Sequence, residues 1–429
     1  MQEILQEEKV VKIDSFNGID VYKIGMDKFK TCAINIFFHD NISRKNVTLN
    51  AMIPAVLRRG SEKYPTMKEI ALYQEELYGS VFDCGVTKKG ELQIIQFYIE
   101  FVSDKYTSEQ ANLFGKCFEL LEEIITKPVL ENGIFKKEYM EQEKENLKNL
   151  IESRVNDKMQ YAVEKCFEEM CKEEPFGIHE YGFVEDLKDI NEQNLSQQYK
   201  YMLETLPISV FVTGNFEDEK LGFVLERLKK MRRTEIKKID SRTMNKDVSE
   251  VRNVTERMSV SQGKLSLGFR THIAPENDDY YSLLIYNGIL GGGVHSKLFQ
   301  NVREKASLAY YAFSRLEKFK GLMLISSGIE LENKDKALKI ILEQMEEIKS
   351  GNISDYEFES TLKALETGLN SLKDSQMNIV DFYLSQYILG TSESLDSTLE
   401  KAKKVTRQDV IDIARKIKLD TVYFLTSQE

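Results

Sequence analysis

This chain carries one order of strand-like and helix-like patterns twice, and that repetition limits its possible folds more than any single motif does. In the first run, GIDVYKIG and TCAINIFFH read as paired strands, and a helical stretch follows over residues 47–58. EIALYQEELYG continues as a second helix, and LQIIQFYIEFV reads as the next strand. The segment YTSEQANLFGKCFELLEEIIT places Leu113, Cys117, Leu120, Leu121 and Ile124 at helical spacing, with Thr107 and Gln110 as an expected capping box. A long helix over 133–155 and the strand ISVFVTGN close this run.

The second run repeats the order. KLSLGFRTHI is a strand, YYSLLIYNGIL and SKLFQNVREK are helices, and GLMLISSGIE is a strand. The spacing predicts a helix over 334–349 with Leu338, Ile341, Leu342, Met345 and Ile348 on one face, and Gly351 as its stop. Ser354 and Glu357 form a capping box for the next helix, and TVYFLTS is the last strand. The pattern therefore calls for an α+β protein of two homologous tandem halves, each an antiparallel-rich sheet packed with paired helices. The halves fall at 1–235 and 259–429. Between them, 236–258 continues the charged stretch MRRTEIKKIDSRTMNKDVSE, which lacks an apolar stripe and reads as a solvated linker. Its Lys and Arg cluster also admits an anion site.

At 429 residues the chain exceeds what one core can serve, in keeping with two halves. A net charge of −11 argues against a broad nucleic-acid footprint. No apolar run reaches the roughly 18 residues that span a bilayer. The start, MQEILQEEKVVKID, lacks the apolar core of a signal peptide, so a cytoplasmic protein is expected. Cys32, Cys84, Cys117, Cys166 and Cys171 contain no CxxC pair and read as reduced, buried thiols.

GGGVHSKLFQNVREKASLAY, residues 291–310, is the most distinctive stretch. A phosphate loop needs GxxxxGK[ST] after a buried strand, and a dinucleotide fingerprint needs spaced glycines after one. Here the glycines follow a helical pattern and no GK[ST] occurs.

The stretch resembles the C-terminal half of the pitrilysin-type, insulinase-like zinc metallopeptidases, which include the mitochondrial processing peptidases. The matching pieces are Gly291, Gly292 and Gly293, then SKLFQ, VREK and LAY. The resemblance extends over essentially the whole chain and implies a clamshell of the two halves. It also implies that Arg303 and Tyr310 hydrogen-bond a peptide substrate near its scissile bond, as directional donors can. The glycines then shape the chamber wall. On residue type alone, Arg303 pairing with a surface carboxylate and Tyr310 packing in the sheet remain open.

The same family requires HxxEH on a helix of the first half, two His for zinc with a Glu as base, ahead of a turn that RRGSEK matches here. Counting back from Gly60 puts those positions on Ala51, Pro54 and Ala55. None can serve. The family's later Glu ligand finds a weak match in Glu143, which the Glu-rich helix suggests is on a solvated face. His39, His179, His272 and His295 are scattered, with His39 expected in a loop.

The resemblance therefore implies a non-catalytic bacterial member that is inactive as a peptidase alone. It would be one subunit of a heterodimeric zinc metallopeptidase, presenting an extended peptide to an active HxxEH-containing homologue. No cofactor is expected in this chain, and zinc is expected in the partner. Two alternatives stand beside this reading: a peptide-binding or chaperone-like homodimer, and a peptidase active alone through an unrecognised metal site. No nucleic acid or membrane partner is expected.

Overall fold

In a computed structural model, residues 9–108, 111–239 and 247–428 are described. They form two compact units. One comprises 1–152 and 179–240, the other 153–178 and 241–429. Gln110 of the expected capping box lies outside the described residues.

In chain order the elements up to residue 228 are β1 (Lys9–Phe16), β2 (Ile19–Gly25), β3 (Thr31–Asn41), α1 (Val47–Leu57), α2 (Met67–Glu76), β4 (Val81–Lys89) and β5 (Leu92–Val102). Then come α3 (Leu113–Thr126), β6 (Leu130–Glu131), β7 (Ile134–Phe135), α4 (Lys137–Ser153), α5 (Lys158–Met170), α6 (Glu192–Thr205), β8 (Ile208–Gly214) and α7 (Glu219–Leu228). The remainder holds β9 (Arg252–Arg257), β10 (Gly263–Arg270), α8 (Asp279–Gly291), β11 (Ala309–Glu317), β12 (Leu322–Ile329), α9 (Lys334–Lys349), α10 (Asp355–Leu372), α11 (Gln376–Leu389), α12 (Leu395–Lys403), α13 (Arg407–Ala414) and β13 (Lys418–Thr426).

The first unit has a six-stranded sheet in the order β1-β2-β8-β3-β5-β4, and the second a five-stranded sheet in the order β11-β12-β10-β13-β9. Each sheet is antiparallel except for one pair, β2 with β8 and β9 with β13. Without β1 the two orders are equivalent, so the repeated pattern corresponds to repeated topology. Apolar side chains of β3, β5 and β8 pack with those of α1, α3 and α6 into the first core.

In the second unit, alternation along β12 and β13 divides side chains between two cores. Met323, Ile325, Val422 and Phe424 join residues of α8 and α9, whereas Leu322, Leu324, Tyr423 and Leu425 join α5. Ala162, Val163, Cys166, Phe167 and Met170 make the apolar face of α5. The helix lies so close to β10 that a Cβ on Gly268 would stand 2.7 Å from Met170 Sδ.

That packing accounts for two differences from the sequence expectation. Residues 153–178 belong to the second unit, because β12 and β13 present a second apolar face that α5 covers. Part of the expected linker, Arg252–Arg257, is the edge strand β9, whose polar, alternately exposed side chains carry little strand signal. Ser354 caps α10 with Glu357 as its spacing predicts. Among the described residues no helix is long and apolar enough to cross a membrane.

Candidate functional site

The expected metal position lies on α1, VTLNAMIPAVL. This helix is buried nearly all round, because it sits against α6, β4 and β5. Ala51 and Pro54 are buried and Ala55 is half-buried. Their neighbour Asn50 is fully enclosed, giving its amide to Asp40 at 2.9 Å and to Gln93 at 3.0 Å. Two methyl groups and a pyrrolidine ring offer no lone pair to a cation.

Glu143 on α4 is 8% exposed, not on a solvated face. Its carboxylate accepts from Arg59 Nε and, at 3.0 Å, from Asn146 Nδ2. The Arg59 guanidinium lies 6.0 Å from the Tyr139 ring centroid. Cys84 donates its thiol to the Pro54 carbonyl at 3.2 Å, and burial pushes that thiol up to about 12, so it stays protonated. Among the described residues, no three His, Cys, Asp or Glu side chains converge as metal ligands would. The donor set here does not fit zinc.

The four histidines are held separately. His39 is buried within β3 rather than in a loop, with Nε2 2.9 Å from Ser209 Oγ. His295 sets Nε2 3.0 Å from Thr361 Oγ1. His179 is buried beside Tyr181, and His272 has a left-handed backbone, φ 56°, past the end of β10.

In the second unit the glycine stretch ends α8, and Gly291 meets β11 so closely that a Cβ there would lie 2.3 Å from Ser314 N. Gly292 terminates α8 by donating its N–H to Gly288 O, and Gly293 faces the His295 ring. The segment expected as a helix after them is a π-helical turn, Phe299–Lys305, with Val302 as its buried anchor. That widened turn carries Arg303, whose side chain is 43% exposed. The guanidinium lies 4.6 Å from the Phe299 ring centroid, with Glu304 3.6 Å away. Pairing this loose leaves most of its five N–H donors available.

Tyr310 on β11 is 56% exposed and donates its O–H to Glu330 at 2.6 Å. The carboxylate's hydrogen bond holds the phenol above its usual range. A register shift explains the contact: Ala309 pairs with Ile329 and Tyr311 with Gly328, so Tyr310 is the extra, unpaired residue of β11 beside the end of β12, which Glu330 directly follows. Gln262, just before β10, stands near enough to Tyr310 to lower its phenol a little against the carboxylate's effect, and accepts from Lys264 at 3.3 Å. Glu330 and Gln262 carry no local sequence signal as neighbours of the phenol, since only pairing of β10, β11 and β12 brings them there. Both Arg303 and Tyr310 are thus exposed donors on one unit, Tyr310 held by Glu330 and Arg303 only loosely paired beside the Phe299 ring.

A family model described as the peptidase M16 inactive domain matches residues 189–365. A Bacillus subtilis protein named "Probable inactive metalloprotease YmfF" is 34% identical over 412 residues, covering 96% of this chain and 96% of that one. A solved structure of a conserved protein from Enterococcus faecalis V583 matches with a TM-score of 0.90 at 28% identity, over 98% of this chain and 99% of that one. A protease from Helicobacter pylori shares the fold, with a TM-score of 0.80 at 17% identity over 98% and 100% of the two chains.

Proposed function

The chain belongs to the peptidase M16 family, as a homologue of inactive members, and from that premise we propose that it is the non-catalytic subunit of a two-protein zinc peptidase. The reading rests on one contrast. Ala51, Pro54 and Ala55 carry no ligating atoms, whereas Arg303 and Tyr310 keep exposed donors suited to a peptide carbonyl. In this reading a cytoplasmic homologue with intact HxxEH supplies zinc and the attacking water. This chain holds an extended peptide, and Arg303 and Tyr310 steady the carbonyl oxygen on which charge grows. Tyr310 releases Glu330 to donate to substrate, so the Glu330 carboxylate keeps the phenol oriented until peptide arrives.

Reconstitution tests this. The isolated chain is expected to leave peptides intact and to raise cleavage when mixed with the HxxEH homologue of the same organism. Arg303→Ala or Tyr310→Phe should lower the rate of the reconstituted pair by about a hundredfold, the lower end of what a lost oxyanion donor removes. The elution volume of the complex should stay unchanged. Full activity of both variants overturns the assigned role, and cleavage by the isolated chain overturns the non-catalytic reading.

A further inference from the structure

Part of the basic stretch that reads as a linker in the sequence turns out to form one rim of a groove in the first unit. The groove encloses about 490 Å³, within the range of sites that hold a ligand. Its floor is apolar, with Leu130, Leu203 and Met231 alongside the Tyr199 ring. The rim is basic, with Lys127, Lys200, Arg227, Lys230 and Arg232 against only Glu122 and Glu204. Both carboxylates are already engaged: Glu122 accepts from Arg227 Nε, and Glu204 lies 3.4 Å from Arg232. Lys127 is paired with Glu123 at 3.1 Å. Among the described residues Lys200 and Lys230 have no carboxylate partner. A locally basic groove on a chain of net charge −11 is a departure that general solubility does not require.

The rim is also held in place. Arg233 donates from both terminal nitrogens to the Leu203 and Leu206 carbonyls at the end of α6. Thr234 N donates to Glu204 O and Lys237 N to Thr205 O, each at 2.9 Å. The segment after α7 is therefore fastened along α6, so the groove is preformed and an occupant need not order it.

We infer that this groove docks an acidic helical segment of a partner protein, with leucine-type side chains on the Leu130, Leu203 and Met231 floor and carboxylates against Lys200 and Lys230. Charge complementarity sets the sign of the partner. Shape selects a protein segment, since a concave site this size suits a few side chains rather than a flat bilayer or a duplex. The walls come chiefly from α6 and from the end of α7 with the turn after it, α3 adding Glu122 and Thr126, and the helical backbone groups are used internally. An extended peptide would find little strand ladder there, whereas a helix brings its own hydrogen bonds. The inference uses no residue of the proposed substrate-side pair and stands apart from the peptidase reading.

The test is fluorescence anisotropy of the full chain with a fluorescein-labelled helical peptide bearing leucines on one face and glutamates beside them. Saturable, salt-sensitive binding is expected. The same peptide with lysine for glutamate should not bind. Lys200→Glu with Lys230→Glu should weaken the acidic peptide about tenfold or more, and Leu130→Asp should weaken it independently. Lys172→Glu, at an exposed lysine outside the groove, should not. Equal binding of the two peptides, or binding indifferent to Lys200, Lys230 and Leu130, overturns the inference. So does failure of the acidic peptide to bind while anionic vesicles or an oligonucleotide bind through the same lysines.

Discussion

Arg59 donates from Nε to the Glu143 carboxylate, joining the turn after α1 to the buried face of α4. The two side chains are 20% and 10% exposed, so the pair is screened far less than a surface ion pair. A carboxylate in such a place needs a cation. In this chain the guanidinium supplies it. Arg59→Ala would leave Glu143 enclosed with only Asn146 as donor. The expected loss is about 1–3 kcal/mol of stability, below the range for fully buried pairs because water reaches part of Arg59. Changing Arg59 to Ala and Glu143 to Leu together should recover part of the loss. Urea unfolding of the two single variants and the double variant checks this, and additive losses would mean the pair is not coupled.

The same arrangement predicts the metal content. Ala51, Pro54 and Ala55 present no donors, Glu143 is committed to Arg59, and the Cys84 thiol is held protonated. The purified, dialysed chain should carry less than about a tenth of an equivalent of zinc, since a zinc site needs several N, O or S ligands. A chelator should leave its melting temperature unchanged. Elemental analysis giving close to one equivalent would show that scattered ligands converge after all.

Much of the fold is legible because both units obey ordinary periodicity. The Val47–Leu57 helix, the strands of each core and the Ser354–Glu357 cap all lie where spacing and capping residues put them. What escapes local pattern is what tertiary pairing decides. Lys320 stands in a polar turn, KFKG, yet its side chain is fully buried because Glu174 from 153–178 comes to meet it at 2.9 Å. His39 looks like a residue beyond a strand end until β3 is seen to continue to Asn41 between β5 and β8. Glu143 sits in a run of glutamates whose composition says solvent, and only Arg59, 84 residues earlier, reveals otherwise. The candidate site divides the same way. Arg303 and Tyr310 are visible as a motif, but the Glu330 that restrains the phenol is brought there by strand pairing.

Glu174 anchors a buried charge cluster in the second unit. Arg270 Nη2 donates to it at 2.8 Å, Lys320 Nζ lies 2.9 Å from its other oxygen, and Arg270 Nε donates to Asp420 at 2.8 Å. Burial alone would raise the Glu174 carboxyl, but the hydrogen bonds from Arg270 and Lys320 overcome it and hold the group below its usual range. A depressed carboxylate adds stability above its unfolded pKa, and that stability is lost as pH falls through the folded value. Glu174→Gln should therefore cost about 2–4 kcal/mol at pH 7, and the gap from wild type should narrow in acid. Urea midpoints at neutral and acid pH measure it. A gap that stays constant would mean the charge on Glu174 is not what stabilises.

His39 gives the opposite kind of group the same acid sensitivity at higher pH. It is enclosed in β3 beside Ser209, and burial pushes its pKa down to about 3. The folded chain therefore keeps the imidazole neutral where the unfolded chain, titrating near the ordinary 6.5, takes up a proton. The unfolded state binds more protons below that value, so stability falls with pH by up to about 1.4 kcal/mol per unit for this one group. The loss continues until pH reaches the folded pKa. His295, lowered by burial as well, adds in the same direction, so the wild-type slope contains more than one histidine. His39→Gln keeps a donor and acceptor near Ser209 but cannot titrate. Its stability should decline with about one proton less of slope between roughly pH 6 and 5, a window above the Glu174 transition. Stability measured by urea unfolding at several pH values in that window decides the matter: parallel curves for the two proteins would place the acid sensitivity elsewhere than His39.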